Sequence, residues 1–537
     1  MSKQRKQSFL GGAVILAAAV AIVKSIGFFY KIPLNNILNS AGKTYFDAAY
    51  QIYNVLLSIS TAGLPLALSK LVSEAQARGR ENQKRKLFRV AFWLFLGLGV
   101  AGTSFMFFGT SIVTGMMNNE GAFHAIRALA PAVFFVCILS CIRGYTQGQG
   151  DMKPSAASQV LEAVCKLGIG LPLAWYVINS GLGMEQGAAA AIMGVTIGTA
   201  LSMLFLASYL LRHRGSGASL DVPDSGGKLV RQILLIGVPI TLSNSAMSII
   251  TLVDTSIVLG RLQDGLGLTE VAASALRGQY GYAMDMVNLP ASFVFPVTMS
   301  LIPAAAAALA SRDHVGADRI ISSAFRVIAI LALPCGVGLS VLATPIMRLI
   351  LPMRQEDALA AGVHLRLLGI ACIFICIMTL TNAILQTYGK ERLPVFTMIT
   401  GGIVKIIMNY ILVGDPDINI HGAPVSTLCC YMTIVALNLF FVWKYSPQKP
   451  RYIRLFAKPI LASALMGAAA WAVCGFVGRT LAAGHSAYGA NAAAALCGIL
   501  AGVVVYFVLV IALRIFRAED LRGMPHGEKI IHLLHLR

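Results

Sequence analysis

Long uninterrupted runs of apolar residues are the feature that most constrains this chain. Fourteen runs of about 20 residues are centred near residues 20, 58, 100, 135, 166, 199, 245, 291, 335, 374, 404, 433, 465 and 502. Each can cross a hydrocarbon core of roughly 30 Å as a helix that satisfies its own backbone polar groups. Only 12% of the residues are charged, about half the share of a soluble protein. We therefore expect an all-α polytopic membrane protein with fourteen transmembrane helices.

The first 30 residues begin like a signal peptide, with Lys3, Arg5 and Lys6 before an apolar stretch. They lack a small-residue cleavage site and continue through Lys24, so we interpret them as an uncleaved first span. All ten cysteines lie inside apolar runs, which predicts packing residues instead of disulfides or metal ligands. We expect no metal and no cofactor.

The distribution of basic residues predicts the orientation of the chain. With the N-terminus inside, 31 of the 43 Lys and Arg residues fall on the cytoplasmic side of a fourteen-span arrangement. Most of the net charge of +20 is then explained by the basic residues that orient the chain in the membrane, and we expect no nucleic-acid partner. The expected location is a bacterial cytoplasmic membrane, with both termini cytoplasmic.

An internal repeat divides the chain. The stretch from Ile126 matches the stretch from Leu365 without gaps, so that Arg127, Gln147 and Lys166 each recur 239 residues later. We expect two pseudo-symmetric six-helix lobes and two added C-terminal helices, an architecture typical of transporters. The predicted domains are an N-lobe at 1–211, a flexible Gly/Ser-rich cytoplasmic linker at 212–228, a C-lobe at 229–445, spans 13 and 14 at 446–515, and a basic tail at 516–537.

Ionisable residues at membrane depth are costly and usually mark a transport pathway. Glu162 and Lys166 are one helical turn apart and can pair with each other, although a substrate or coupling role is also open. Lys405 repeats Lys166 but has Gly401 in place of the acid, so we expect it to face water or a ligand. The remaining candidates for a structural or coupling role are Asp254 and Asp285.

Lys24 is the most informative of these residues. It lies toward the outer half of the first span, where it either snorkels to the interface with Lys31 or faces a cavity as an anion site. Asp47, at the start of the second span, is either a solvated residue near the helix cap or part of the site. We take Lys24, Lys31, Asp47 and Lys405 as the candidate substrate-binding residues.

Two motifs connect the chain to a known family. The segments STAGLPLALSKLVSEAQARG (60–79) and IRGYTQGQGDMKPSAASQVLEAVCK (142–166) resemble the stage V sporulation protein B group of the multidrug/oligosaccharidyl-lipid/polysaccharide (MOP) exporter superfamily, which includes counterparts of MurJ-type lipid II flippases. The resemblance covers the whole chain. It implies a MATE-like fold, export of an undecaprenyl-pyrophosphate-linked sugar precursor, and a lipid groove formed by spans 13 and 14.

The resemblance transfers the site residues only in part. Lys24 stands where family flippases have an arginine, and Asp47 matches the family aspartate that opens span 2. Three other family arginines are missing, at Tyr30, at Ser60, and at or next to Asp285. These departures leave the cargo open.

Two transporter functions fit this fold. The first is a flippase that moves an undecaprenyl-pyrophosphate-linked saccharide by alternating access, driven by a gradient of Na⁺ or H⁺ or by the membrane potential. The alternative is a MATE-type cation-coupled multidrug antiporter, but such antiporters resemble each other in having an acid in span 1, where this chain has Lys24. A membrane-embedded enzyme is disfavoured by the repeat. We expect a monomer whose partners are membrane lipids and a lipid-linked oligosaccharide.

Overall fold

The computed structural model describes residues 19–58, 63–212, 220–311, 313–446, 449–450, 452–481, 486–513 and 515, apart from positions 21 and 28. Every regular element in these ranges is a helix, which confirms the all-α prediction. The start of the predicted first span and the predicted basic tail lie outside the described residues.

Ten helices in the described ranges are long and apolar enough to cross a membrane. They coincide with predicted spans three to six and nine to fourteen. The multi-pass character is therefore confirmed, while the count of fourteen and the cytoplasmic termini stay predictions.

The chain folds into two compact units, residues 1–278 and 279–537. The first unit contains α1 (22–37, with position 28 undescribed) and nine further helices that lie within it. They are α2 (Ser40–Ser58), α3 (Leu64–Ala77), α4 (Glu81–Phe108), α5 (Thr110–Met116), α6 (Phe123–Gly148), α7 (Lys153–Cys165), α8 (Leu171–Asn179), α9 (Met184–Arg212) and α10 (Gly226–Gly260). The next helix, α11 (Glu270–Ala310), continues from this unit into the second.

The core of the first unit surrounds α6. This helix is apolar on all sides, and 72% of its most apolar window is buried, against 22% for α4. A helix that is hydrophobic all round is stable only in an interior, whereas α4 leaves much of its apolar surface on the outside of the unit, as a lipid-facing helix does. The helices α2, α3, α4 and α9 pack on α6, and α10 packs on α2 and α3.

The second unit is built around two interior helices, α12 (His314–Val341) and α14 (Gln355–Thr387), each 61% buried over its most apolar window. The other helices are α13 (Ala343–Ile350), α15 (Arg392–Leu412), α16 (Gly422–Tyr445), α17 (Tyr452–Leu481) and α18 (Ala487–Ala512). The two C-terminal helices pack on each other, with α17 against α12 and α18 against α13.

The packing inside the two units repeats. In the first unit α4 packs on α6, α6 on α9, and α7 on α9; in the second, α12 packs on α14, α14 on α16, and α15 on α16. A short helix follows the first member of each set, α5 after α4 and α13 after α12. The internal repeat read from the sequence is therefore also a repeat of helix packing.

Candidate functional site

The candidate residues divide between the units. Six lie in the first unit, namely Lys24, Lys31, Asp47, Glu162, Lys166 and Asp254, and two lie in the second, Asp285 and Lys405. Asp254 and Asp285 are buried, with 2% and 5% of their surface exposed, whereas Lys405 is half-buried. The first unit thus contains most of the candidate ionisable residues, and the contacts of these residues define the candidate site.

Lys24 lies on α1 with its side chain exposed. Within the described part of the chain, this side chain has no hydrogen bond, ion pair or aromatic contact. Lys31, two turns further along α1, is half-buried and makes contacts within the fold. The two lysines are therefore in different environments, and Lys24 is the one available to a ligand or to a lipid headgroup.

Asp47 belongs to a buried ion pair. The Nζ atom of Lys43 lies 2.7 Å from Oδ1 of Asp47, one turn along α2, and the lysine side chain is 0% exposed. The same ammonium lies 5.9 Å from the centroid of the Phe46 ring. A buried lysine requires such a partner, since an unpaired buried charge is strongly destabilising. Asp47 thus balances Lys43 inside the fold, one turn away on the same helix.

Glu162 pairs with a residue of another helix and not with Lys166, the partner that its spacing allows. Its Oε2 atom lies 3.3 Å from Nη2 of Arg143 on α6, and Nε of Arg143 donates to Oγ of Ser158 at 2.9 Å. Both side chains are mostly buried, with 14% of Arg143 and 24% of Glu162 exposed. The pair between Glu162 and Lys166 that the helical spacing allows is not formed, because α6 brings a planar guanidinium to the acid across the helix interface.

A π-helical turn from Lys166 to Gly170 separates α7 from α8. It is held by close approach to α9: a Cβ atom on Gly194 would lie 2.4 Å from Cα of Gly170, and one on Gly170 would lie 2.8 Å from the carbonyl oxygen of Ala191. Only glycine at both positions permits this backbone contact. The wide turn changes the phase of the helix at Lys166, and such turns are frequent at functional sites.

The ammonium of Lys166 lies between two tyrosine rings. Its Nζ atom is 4.3 Å from the centroid of Tyr50 on α2 and 4.7 Å from that of Tyr30 on α1. It also donates a hydrogen bond to the Tyr50 hydroxyl at 3.2 Å. Two aromatic faces within about 6 Å stabilise a cation at sites shielded from water. We call Tyr30, Tyr50 and Lys166 the tyrosine clamp.

A third polar region of the first unit surrounds Asp254 on α10. Arg277, on the first part of α11, is 7% exposed and donates from Nη2 to Oγ1 of Thr255 at 3.1 Å. Asp254 itself is buried and has contacts within the fold. A cation and an acid are therefore both buried near the junction of α10 and α11.

Four contributors to these contacts were missed by the sequence analysis, namely Tyr30, Lys43, Tyr50 and Arg143. One signal could have found part of this set, because Phe46, Tyr50 and Tyr53 recur at the spacing of one helical face. The three rings are neighbours in the structure: the centroids of Phe46 and Tyr50 lie 5.7 Å apart, and those of Tyr50 and Tyr53 lie 5.8 Å apart. Nothing in the local sequence indicates that Arg143 would reach Glu162.

Comparisons with known proteins give two family models that together span residues 9–411, and relatives that match nearly the whole chain. A family model described as polysaccharide biosynthesis protein matches residues 9–309, and one described as MatE matches residues 239–411. Stage V sporulation protein B of Bacillus subtilis (strain 168) is 24% identical over 97% of this chain and 98% of its own length. Lipid II flippase MurJ of the same organism is 23% identical, over 86% of this chain and 87% of its own length.

Solved structures share the fold. A structure titled lipid II flippase MurJ, inward closed conformation, superposes with a TM-score of 0.69 at 15% identity, covering 93% of this chain and 99% of that one. An inward-facing MATE-family multidrug resistance transporter of the MOP superfamily superposes with a TM-score of 0.63 at 16% identity, covering 83% and 98%. These likenesses confirm the MOP fold expected from the sequence.

Proposed function

Since the chain belongs to the polysaccharide biosynthesis protein family, in the stage V sporulation protein B and MurJ group of the MOP superfamily, we propose that it is a flippase. Its proposed cargo is an undecaprenyl-pyrophosphate-linked saccharide, either a lipid II-like peptidoglycan precursor or a polysaccharide unit. It moves this cargo to the outer leaflet by alternating access and acts as a transporter, not as an enzyme.

The main support for this proposal is the environment of Lys24. Its side chain is exposed on α1 and has no acidic partner among the described residues, while Asp47 is already engaged by Lys43. A charged side chain within a membrane span costs about 3 kcal/mol and is usually kept for function. An accessible ammonium suits a diphosphate and repels a cationic drug. Lys31 and Lys405 extend the proposed substrate contacts.

The membrane potential favours export of such a cargo. Two negative charges that move outward across an inside-negative membrane gain roughly 2.3 kcal/mol each per 100 mV, or about 4 to 5 kcal/mol together. In this proposal the potential supplies part of the driving force, and a Na⁺ or H⁺ gradient resets the carrier.

Complementation of a flippase-depleted strain tests the role of Lys24. Lys24→Ala and Lys24→Gln should abolish export at normal protein levels, whereas Lys24→Arg should retain it, because a guanidinium also binds phosphate. Lys70→Ala, which removes an exposed lysine from α3, is the matched control and should export normally. Normal growth with Lys24→Ala would show that Lys24 only snorkels to the interface, and would remove the main support for an anionic cargo.

The MatE match over residues 239–411 favours a second candidate, a cation-coupled multidrug antiporter. In that case the candidate for binding a coupling cation is a buried acid, either Asp254 of the first unit or Asp285 of the second. The same strains distinguish the two functions: resistance to cationic dyes without complementation would favour the antiporter.

A further inference from the structure

Lys166, like Lys24, is a cation of the first unit whose charge no described carboxylate neutralises. The expected partner, Glu162, is occupied by Arg143 at 3.3 Å. The other interior ammonium described above, that of Lys43, is bound to Asp47 at 2.7 Å. Lys166 instead has two aromatic rings and one hydroxyl as its neighbours. Aromatic rings hold an ammonium in place without cancelling its charge.

The clamp that holds this ammonium is itself well supported. Tyr30 is 0% exposed, and its hydroxyl lies 3.5 Å from the carbonyl oxygen of Ala191 on α9. The ring of Tyr50 stacks on Phe46, with centroids 5.7 Å apart. The rings come from α1 and α2, and the backbone of Lys166 begins the π turn. Three separate elements therefore fix the position of one ammonium.

Lys166 also has capacity to bind a further group. A lysine ammonium carries three N–H donors, and one of them bonds the Tyr50 hydroxyl. The side chain is half-buried, so it is reachable without being freely solvated. A preorganised ammonium with unused donors is the feature that binds phosphate oxygens.

We infer that Lys166, held by Tyr30 and Tyr50, is a binding contact for the diphosphate group of the cargo. This inference rests on the proposed function and names a residue outside the substrate set expected from the sequence. The ammonium donates to a phosphate oxygen, while the two tyrosines hold it in position. The recognised chemistry is the diphosphate, whether on a lipid or free.

Binding to the full-length protein in nanodiscs tests this inference. The probes are undecaprenyl diphosphate, inorganic pyrophosphate and the uncharged alcohol undecaprenol. For undecaprenyl diphosphate, Lys166→Ala and Lys166→Gln should weaken affinity about tenfold or more, the loss expected for a charge-assisted hydrogen bond. Lys166→Arg should stay within about threefold of wild type, because it keeps the charge. Undecaprenol binding should not change in any variant.

The matched control is Arg127→Ala, which removes another cation held by rings, since Arg127 lies 4.4 Å from the Phe107 centroid. It should bind all three probes like wild type. A loss in Lys166→Ala for undecaprenyl diphosphate alone would identify a lipid headgroup, and a loss for pyrophosphate as well would identify the diphosphate itself. Both results support the inference.

Two results would overturn it. Equal losses for undecaprenyl diphosphate and undecaprenol, or no loss for either in the folded Lys166→Gln protein, would show that the clamp only ties α7 to α1 and α2. In that case wild type still binds undecaprenyl diphosphate and the proposed function stands. If wild type binds no anionic lipid, the proposed function and this inference fail together.

Discussion

Removal of the Asp221 carboxylate should release the described end of the predicted linker from helix α4. Residues 220–225 do not extend freely from the fold. The Oδ1 and Oδ2 atoms of Asp221 accept hydrogen bonds from the backbone N–H groups of Asn82 and Gln83, each at 2.9 Å. These are N–H groups of the first turn of α4, which have no partner within their own helix. The Gln83 side chain also donates from Nε2 to Oδ2 of Asp224 and accepts at Oε1 from the backbone N–H of Asp224.

The structure sets the size of the effect. Loss of a capping side chain costs about 0.5 to 2 kcal/mol, and loss of an anion at a helix N-terminus costs about 0.3 to 1 kcal/mol. The ion pair between Arg80 and Asp221 adds little to this cost, because the Nε atom of Arg80 lies 4.0 Å from Asp221 and the arginine side chain is 30% exposed. We therefore expect Asp221→Ala to weaken the docking by about 1 to 2 kcal/mol. Asp221→Asn keeps an acceptor and should cost about half as much.

Hydrogen exchange in nanodiscs measures this docking. In Asp221→Ala the amides at the start of α4 should exchange about 5 to 30 times faster, because a change of 1 to 2 kcal/mol alters a local opening equilibrium by that factor. The control is Asp313→Ala, since Asp313 caps the corresponding helix α12 from its own N-cap position, with its Oδ1 atom 2.8 Å from the Gly316 nitrogen. That variant should speed exchange at α12 and leave α4 unchanged. Unchanged exchange at Asn82 and Gln83 in Asp221→Ala would refute the reasoning.

Three further predictions concern pH, packing and topology. The hydrogen bond from Lys228 is the largest cause that lowers the pKa of Asp224, and Arg80 and Gln83 at the start of α4 lower it further. Through these two residues ionised Asp224 stabilises docking above its unfolded pKa near 3.8, and the contribution is lost as pH falls through the lower folded pKa. A fluorophore at Leu220→Cys should report an undocked segment only in strong acid, and release at neutral pH would contradict this. Gly194→Ala should lower the thermal unfolding temperature, because its Cβ would meet the Gly170 backbone, whereas Gly97→Ala, with open space around it, should not; equal shifts would argue against the close contact. Cysteines at Glu185 and Asp417 should react with an impermeant reagent from outside intact cells, and one at Leu220 should not; the reverse pattern would invert the proposed topology.

The sequence by itself determined that this protein is a helical membrane protein with a repeat. An apolar run of about 20 residues can satisfy its backbone inside lipid only as a helix, so composition and run length decide the element without tertiary information. The match of Arg127 with Arg366 and of Lys166 with Lys405 revealed the repeat because both halves retain a common pattern. The family followed from the motifs at 60–79 and 142–166.

Only the tertiary structure decided the partners of the buried charges. The spacing of Glu162 and Lys166 allows a pair within one helix, but Arg143 approaches from α6 at 3.3 Å and takes the acid. Lys43 does pair with Asp47 one turn along its own helix, but only the packing around α2 leaves that lysine 0% exposed. Sequence spacing measures distance along one helix, whereas an ion pair forms with whichever opposite charge lies within about 4 Å, and that is set by helix packing.

The same reason explains the tyrosine clamp and the docked linker. Tyr30, Tyr50 and Lys166 come from separate parts of the chain, and helix packing brings them together at the start of the π turn, where glycines at 170 and 194 also let α9 approach. The Gly/Ser-rich composition around residue 220 indicates a flexible linker, yet Asp221 reaches a helix N-terminus 138 residues away. Local composition determines what a segment can do alone. An uncapped helix end or an unpaired ammonium becomes energetically costly only once helix packing has removed it from water.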